Sequence, residues 1–373
     1  MRFGMQIMNA NLYSETTRLH RDVPHTTDAD RIRADLDLIE LGDQSGLDTV
    51  WASEHHFSEY MTTPNLCQYL AYVVGRTKSV DVGTAVIVLP WHDPVRVAEE
   101  IAMLDILVGD RTLFVGFGRG ASQMEFDGFR IPMTESRERY NEALEVVRRL
   151  LTQENVSFEG QFFNIPGITT FPRPKSADLG ARMYNAWMTP SSLDLAASSG
   201  VCPLFAVMRA LDEYPKEMAR FNAVRTEAGL PPTTAKIQSF MYCAPSRAQA
   251  EEEGLKYITE YYDSIEEHYH WGTGNYREVK GYEFYADLGE SRKVADKNQS
   301  EQFLIECSLL GTPDDIVQKI EHLGQVAYCD EVISPFIYGK MPFEKAESQM
   351  KLFLDKALPR VHKLRAAEPV TVA

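Results

Sequence analysis

Five cysteines, Cys67, Cys202, Cys243, Cys307 and Cys329, are scattered through the chain and none belongs to a CxxC pair. Their odd number and spacing argue for buried free thiols in a reducing compartment rather than a disulfide framework. No apolar run approaches the length of a membrane span, and no signal-peptide pattern surrounds the opening MRFGMQIM, so a cytoplasmic location is expected. Basic residues are in deficit. The 38 lysines and arginines face 54 acidic residues, and the resulting net charge of −16 excludes nucleic acid and anionic membranes as expected partners. A glycine-rich phosphate fingerprint is missing after the first strand-like stretch, which counts against a doubly wound dinucleotide fold.

What is present is a regular alternation of strands and helices. The clearest stretch runs from Val80 to Ala121. VDVGTAVIVLP reads as a parallel strand buried on both faces. Asp93 and Pro94 then open a helix with Val97, Ile101, Leu104 and Leu107 on one stripe, and RTLFVGFG follows as a second buried strand. Similar units precede and follow it, with strands expected at 2–8, 47–53, 181–188, 201–207, 235–243 and 329–336. Eight strands, each followed by a helix, predict an α/β fold of the (β/α)8 TIM-barrel type. A single domain over 1–373 is expected, with insertions near 9–28 and 156–171. The segment 263–300 loses its period and reads as a mobile lid.

Catalytic residues of such a barrel lie at the C-terminal ends of the strands. That rule selects Glu54, His55 and His56; Pro90 to Asp93; Arg119 to Ser122; Trp187 to Ser192; and Pro335. Adjacent histidines on extended backbone point in opposite directions, so His55 and His56 are not expected to clasp one metal, and no metal site is expected. Either ring is suited to proton transfer near neutrality. Thr189, Pro190, Ser191 and Ser192 open a helix, the chemistry of an anion site, with Arg119 and Arg137 as sources of positive charge. The same hydroxyls equally suit simple helix capping. His268 and His270 read as solvated lid residues. Trp51, Phe57, Trp91, Phe117 and Trp187 are candidates for a pocket wall.

Several motifs in order carry a family resemblance: EHHF at Glu54–Phe57, GTAVIVLP at Gly83–Pro90, DPVRVAEEIAMLD at Asp93–Asp105, and the GDR…GFGRG run at Gly109–Gly120. KGYEF at Lys280–Phe284, LLGTP at Leu309–Pro313 and the final MKLFLDKALPRV extend it across nearly the whole chain. Together they resemble the bacterial luciferase family of flavin-dependent monooxygenases, and within it the luciferase alpha subunit.

The resemblance implies a two-component oxygenase. A separate NAD(P)H:flavin reductase would supply reduced FMN (FMNH2). Oxygen would add at flavin C4a, and the resulting (hydro)peroxide would oxygenate a small, mostly apolar organic substrate. It implies proton transfer by His55 with His56 as its neighbour, and a non-prolyl cis peptide between Ala85 and Val86 beneath the flavin ring. It also implies a phosphate site at Arg119, Arg137, Thr189, Ser191 and Ser192, with main-chain contacts at Met188, and an influence of Glu125 on flavin binding. Trp91, Trp187 and Lys280 would face substrate or belong to the lid. Gly118 stands where the alpha subunit carries a reactive cysteine, and its lack of a side chain is expected to leave room beside C4a. A monooxygenase that is not a luciferase is therefore expected. Relatives pair through helices near the second and third strands, implying a homodimer or a heterodimer. The alternatives are a deazaflavin (F420)-dependent oxidoreductase on the same scaffold and a catalytically silent subunit like luciferase beta. The presence of His55 argues against the second.

Overall fold

The computed structural model describes residues 1–12, 26–186, 190–271, 276–294 and 296–370, the side chains of 190, 191, 291–294 and 297 excepted. Eight parallel strands close into a barrel in chain order: β1 (Arg2–Ile7), β2 (Thr49–Ala52), β3 (Asp81–Val88), β4 (Leu113–Gly118), β5 (Met183–Ala186), β6 (Cys202–Ala206), β7 (Ala235–Gln238) and β8 (Cys329–Ser334). β8 returns beside β1, with Phe3 opposite Val332. The β3–β4 register slips between Thr84 and Ile87, and the Ala85–Val86 peptide inside that slip is cis. Asp93 caps the helix Pro94–Leu107 as its sequence predicts, accepting from the N–H groups of Val95 and Arg96 at 2.8 and 3.2 Å.

The lower barrel is closed by a polar and aromatic plug. Lys236, 2% exposed, donates to Glu331 at 2.7 Å and lies 4.5 Å from the centroid of Phe114. Despite burial, Lys236 and Arg2 keep Glu331 below its ordinary carboxylate value. Trp51 stacks on Phe114 at 5.5 Å and donates to Glu331 at 3.1 Å. It lies flat across Gly83, where a Cβ would come within 2.4 Å of the indole. Trp51 therefore belongs to the plug and not to a pocket wall.

Two sequence expectations need correction. The stretch 235–243 is not one strand: β7 ends at Gln238, and Met241–Cys243 pairs with Leu309–Gly311 in a separate ladder outside the barrel. The segment 263–300 is also more regular than its polarity suggests. The helix Arg247–Tyr269 continues through it, and helices Glu283–Val294 and Lys297–Cys307 follow. Ile258, Tyr261, Ile265 and His268 are buried along the first of these, so its inward stripe persists to the last turn. The hairpin near 160 forms as expected, from Val156–Glu159 and Asn164–Ile168. Most of the expected insertion at 9–28 lies outside the described residues.

Candidate active site

A cavity of about 290 Å³ opens at the C-terminal end of the barrel. β1 to β7 all reach it, through Gln6, Ser53, Val86, Gly118, Ala186, Ala206 and Gln238. Its upper wall is aromatic, with Tyr60, Trp91, Phe240, Tyr261, Tyr269, Trp271 and Tyr285 contributing. Of the aromatic residues predicted for this wall, Trp91 is present. Phe57 is 56% exposed, Phe117 is buried behind its strand, and Trp187 lies outside the described residues.

The strand β2 ends in two histidines that separate sharply. The His55 ring lines the cavity, its Nδ1 3.1 Å from Glu125 Oε1 and its Nε2 3.4 Å from the Tyr269 hydroxyl. With Nδ1–H donating to the carboxylate, Nε2 is the acceptor, paired with the Tyr269 hydroxyl at the cavity wall. The His56 ring turns away, against Trp91 and Phe129, and its Nε2 sits 3.0 Å from Glu54 Oε1. It does not line the cavity; it braces Glu54 and packs into the aromatic shell. Glu54 also receives His92 Nε2 at 2.6 Å and the Val88 N–H at 2.9 Å, tying the end of β2 to β3 and the segment after it. Burial opposes the Glu54 charge, but the His56 and His92 contacts outweigh it and hold the carboxyl below its usual value.

Glu125, on the helix Gln123–Phe129, accepts the His56 N–H at 2.7 Å as well as His55. Burial opposes its charge, yet His55 and His268 pull its carboxyl down to about 2. His55, Glu125 and His268 offer ligand atoms within 4.8 Å of one another. The oxygen that faces both rings already accepts the His56 N–H and holds His55 Nδ1, while His268 Nε2 faces it at 3.5 Å. His268 corrects a sequence expectation: it is 1% exposed and packed against Tyr60, not solvated. The signal was the helical stripe of Ile258, Tyr261 and Ile265, which reaches His268 at the same spacing.

These pKa displacements set a pH dependence of stability. A carboxyl held at about 2 when folded and near 4.5 when unfolded stabilises the fold above pH 4.5, and that contribution is lost as pH falls towards 2. For Glu125 the term is on the order of 3 kcal/mol. Thermal melts between pH 7 and 3 are expected to show a steep loss of stability below 4.5, and Glu125→Gln should flatten it. Parallel melting curves for the two proteins would remove Glu125 as the source.

Two arginines also line the cavity, past the end of β4. Arg119, just past β4, donates to the Gly281 carbonyl at 2.7 Å and lies 3.9 Å over the Tyr282 ring. Arg137, at the start of the helix Ser136–Thr152, is held below the ordinary arginine value by burial and by the like charge of Arg119. Arg119 Nη1 and Arg137 Nε are buried with no hydrogen-bond partner among the described residues. Ser192 lines the same cavity. Two orphaned guanidinium N–H groups on neighbouring arginines, lining one cavity with Ser192, supply donors that a phosphate needs, and so fit the phosphate of FMN. Met188 and Thr189 lie outside the described residues, as does the side chain of Ser191.

Beside the arginines, Ala85 and Val86 line the cavity floor. The space beside Gly118 is not open as expected: a Cβ there would meet Val86 Cγ2 at 2.4 Å, so Val86 fills it. The cavity is covered by the segment after the helix Arg247–Tyr269. Tyr282 donates to Gly120 O at 2.7 Å and Tyr276 donates to Ala121 O at 3.0 Å. Gly281, at φ +84°, makes room for Arg137, which a side chain at that position would strike. Lys280 is exposed and does not line the cavity; it stands on the cover segment between Tyr276 and Tyr282.

This chain is similar to the alkanal monooxygenase alpha chain of Photorhabdus luminescens, with 27% identity over 85% of this chain and 93% of the relative. It is similar at 23% identity to the oxygenase component of the flavin-dependent trigonelline monooxygenase of Acinetobacter baylyi, over 87% of this chain and 88% of the relative. Among solved structures, monooxygenase RslO1 from Streptomyces bottropensis superposes with a TM-score of 0.78 at 26% identity, covering 96% of this chain and 99% of that one. A family model described as luciferase-like monooxygenase matches residues 1–328. With seven of the eight barrel strands and the histidine-lined mouth inside those residues, the chain belongs to the luciferase-like monooxygenase family.

Proposed function

We propose that the protein is the oxygenase component of a two-component system, taking reduced FMN from a separate reductase and using O2 to oxygenate a small, mostly apolar organic molecule. The observation that carries this reading is the pair of orphaned arginine N–H groups at an apolar cavity that His55 also lines. Reduced flavin, when bound, supplies the electrons that activate oxygen. The residues of the chain do the rest. Arg119, Arg137 and Ser192 hold the phosphate, and Ala85 and Val86 support the ring. Tyr276, Tyr282 and Tyr285 shield the cavity from water, which protects reactive species formed inside it. His55 Nε2 exchanges a proton with the bound reactants while Glu125 holds its other nitrogen.

The relative named as an oxygenase component supports a reductase partner. Tyr72, Met103, Ile106 and Leu107 are exposed apolar residues on helices Leu66–Arg76 and Pro94–Leu107, which supports pairing of two copies there. No described helix is long and apolar enough to cross a membrane; a cytoplasmic location is part of the proposal.

Stopped-flow absorbance tests the reading. Purified protein and photoreduced FMN are mixed with oxygenated buffer, without substrate. A transient distinct from both reduced and oxidised FMN, outlasting the oxidation of free reduced FMN, is expected. Immediate return to oxidised FMN would overturn the oxygenase reading in favour of deazaflavin-dependent hydride transfer or a silent subunit.

A further inference from the structure

We propose that His268 is a positioning residue of the proton-handling centre, acting through the shared Glu125 carboxylate to orient and tune His55. The inference deepens the oxygenase reading and rests on it for its catalytic meaning. Its structural content stands on the geometry alone.

His268 closes the long helix Arg247–Tyr269, an element that also covers the cavity. Its Nδ1 lies 2.7 Å from Ser58 Oγ, and its ring stacks on Tyr60 with centroids 4.8 Å apart. Ser58 Oγ accepts the Tyr60 N–H at 3.3 Å and can still donate its O–H to Nδ1, the arrangement proposed. The ring proton is then on Nε2, which is buried without a hydrogen-bond partner among the described residues and faces Glu125 Oε1 at 3.5 Å. The His55 ring stands edge-on 5.1 Å away. The groups facing His268 are Glu125, His55, Tyr60, Tyr269 and, more distantly, His270.

One carboxylate thus serves two imidazoles, and the buried site accommodates one proton between them beyond the neutral rings. A second would place two like charges about 5 Å apart in a poorly solvated space. Burial already disfavours charge on His268 and holds it below the ordinary histidine value. The division of labour follows. His268 stays neutral and turns the positive end of its Nε2–H dipole towards Glu125, which stabilises the carboxylate charge across 3.5 Å. His55, the ring that reaches the cavity, takes up the mobile proton at Nε2 and returns it, with no net change over a cycle. Without the His268 donor, Glu125 becomes a stronger partner for protonated His55, and the acid limb of activity moves to higher pH.

Two measurements decide the proposal. In flavin-free protein labelled with 15N-histidine, NMR at pH 7 is expected to find His268 neutral and protonated on Nε2. An imidazolium or an Nδ1–H tautomer overturns it. In the flavin-loaded enzyme, His268→Leu is expected to raise the midpoint of the acid limb of kcat by at least about half a unit. It should also lower kcat about tenfold, with the KM for reduced flavin changed less than about threefold. His268→Gln, which keeps an N–H donor towards Glu125, should recover most of both effects. An unmoved acid limb in a His268→Leu protein that melts normally, or a His268→Gln variant no better than the leucine, overturns the tuning role. If the wild type shows no oxygenation, it is the functional reading that fails, and the NMR result still decides the arrangement of His268.

Discussion

His55→Ala is expected to lower oxygenation by about 10²–10⁴-fold, the usual worth of a positioned acid–base group, while FMN affinity stays within about threefold. The asymmetry follows from where the ring sits. His55 meets the cavity through Nε2, and its Nδ1 is held by Glu125; no described contact ties the ring to Arg119 or Arg137. Removing the ring deletes the proton carrier and leaves Arg119, Arg137 and Ser192 in place. His56→Ala should behave differently. Its ring braces Glu54 and packs on Trp91 and Phe129, so a loss of thermal stability is expected with a smaller loss of turnover. Steady-state kinetics, flavin titration and melting curves on the two variants separate the roles. Equal turnover of wild type and His55→Ala would take His55 out of the mechanism.

Arg119→Gln/Arg137→Gln is expected to weaken FMN binding by about 10²–10³-fold, from two charge-assisted contacts of about 1.5–3 kcal/mol each with partial compensation. Riboflavin, which lacks the phosphate, should bind the variant and the wild type within about threefold of one another. The comparison matters because Arg119 has a second contact: it also donates to Gly281 O and lies on Tyr282. A variant that loses riboflavin as severely as FMN would show that these arginines act mainly by holding the cover segment. Arg137→Gln alone isolates the phosphate term, since no described contact ties its side chain to the cover by a hydrogen bond. Fluorescence quenching of both flavins by wild type and the two variants gives the six dissociation constants required.

Much of this was legible in local sequence. The double-faced apolar strand 80–90, the capped helix that follows and the repeating strand–helix order are sufficient for a barrel, because each depends on periodicity and on capping chemistry that neighbouring residues carry. The strand-end rule then selects Glu54, His55, His92 and Arg119 without reference to any reaction. Arg137 stands out as a second cation at the start of the next helix, the family resemblance adds Glu125, and the structure brings both to one cavity.

Other features were decided only by the tertiary structure. Adjacent histidines have identical local propensities, and only the surrounding shell shows that His55 faces the cavity while His56 is locked to Glu54. The region after Asp263 looks irregular because its polar residues cover another element instead of forming an exposed stripe, and the buried partner that makes its helices amphipathic lies more than a hundred residues away. Trp51 and Trp91 both follow or end strands, yet one plugs the barrel floor and the other lines its mouth. That difference is set by depth along the barrel axis, a coordinate which exists only after closure. The pairing of His268 with Glu125 depends on the helix 247–269 crossing the mouth of the barrel, a long-range packing event that no local pattern encodes.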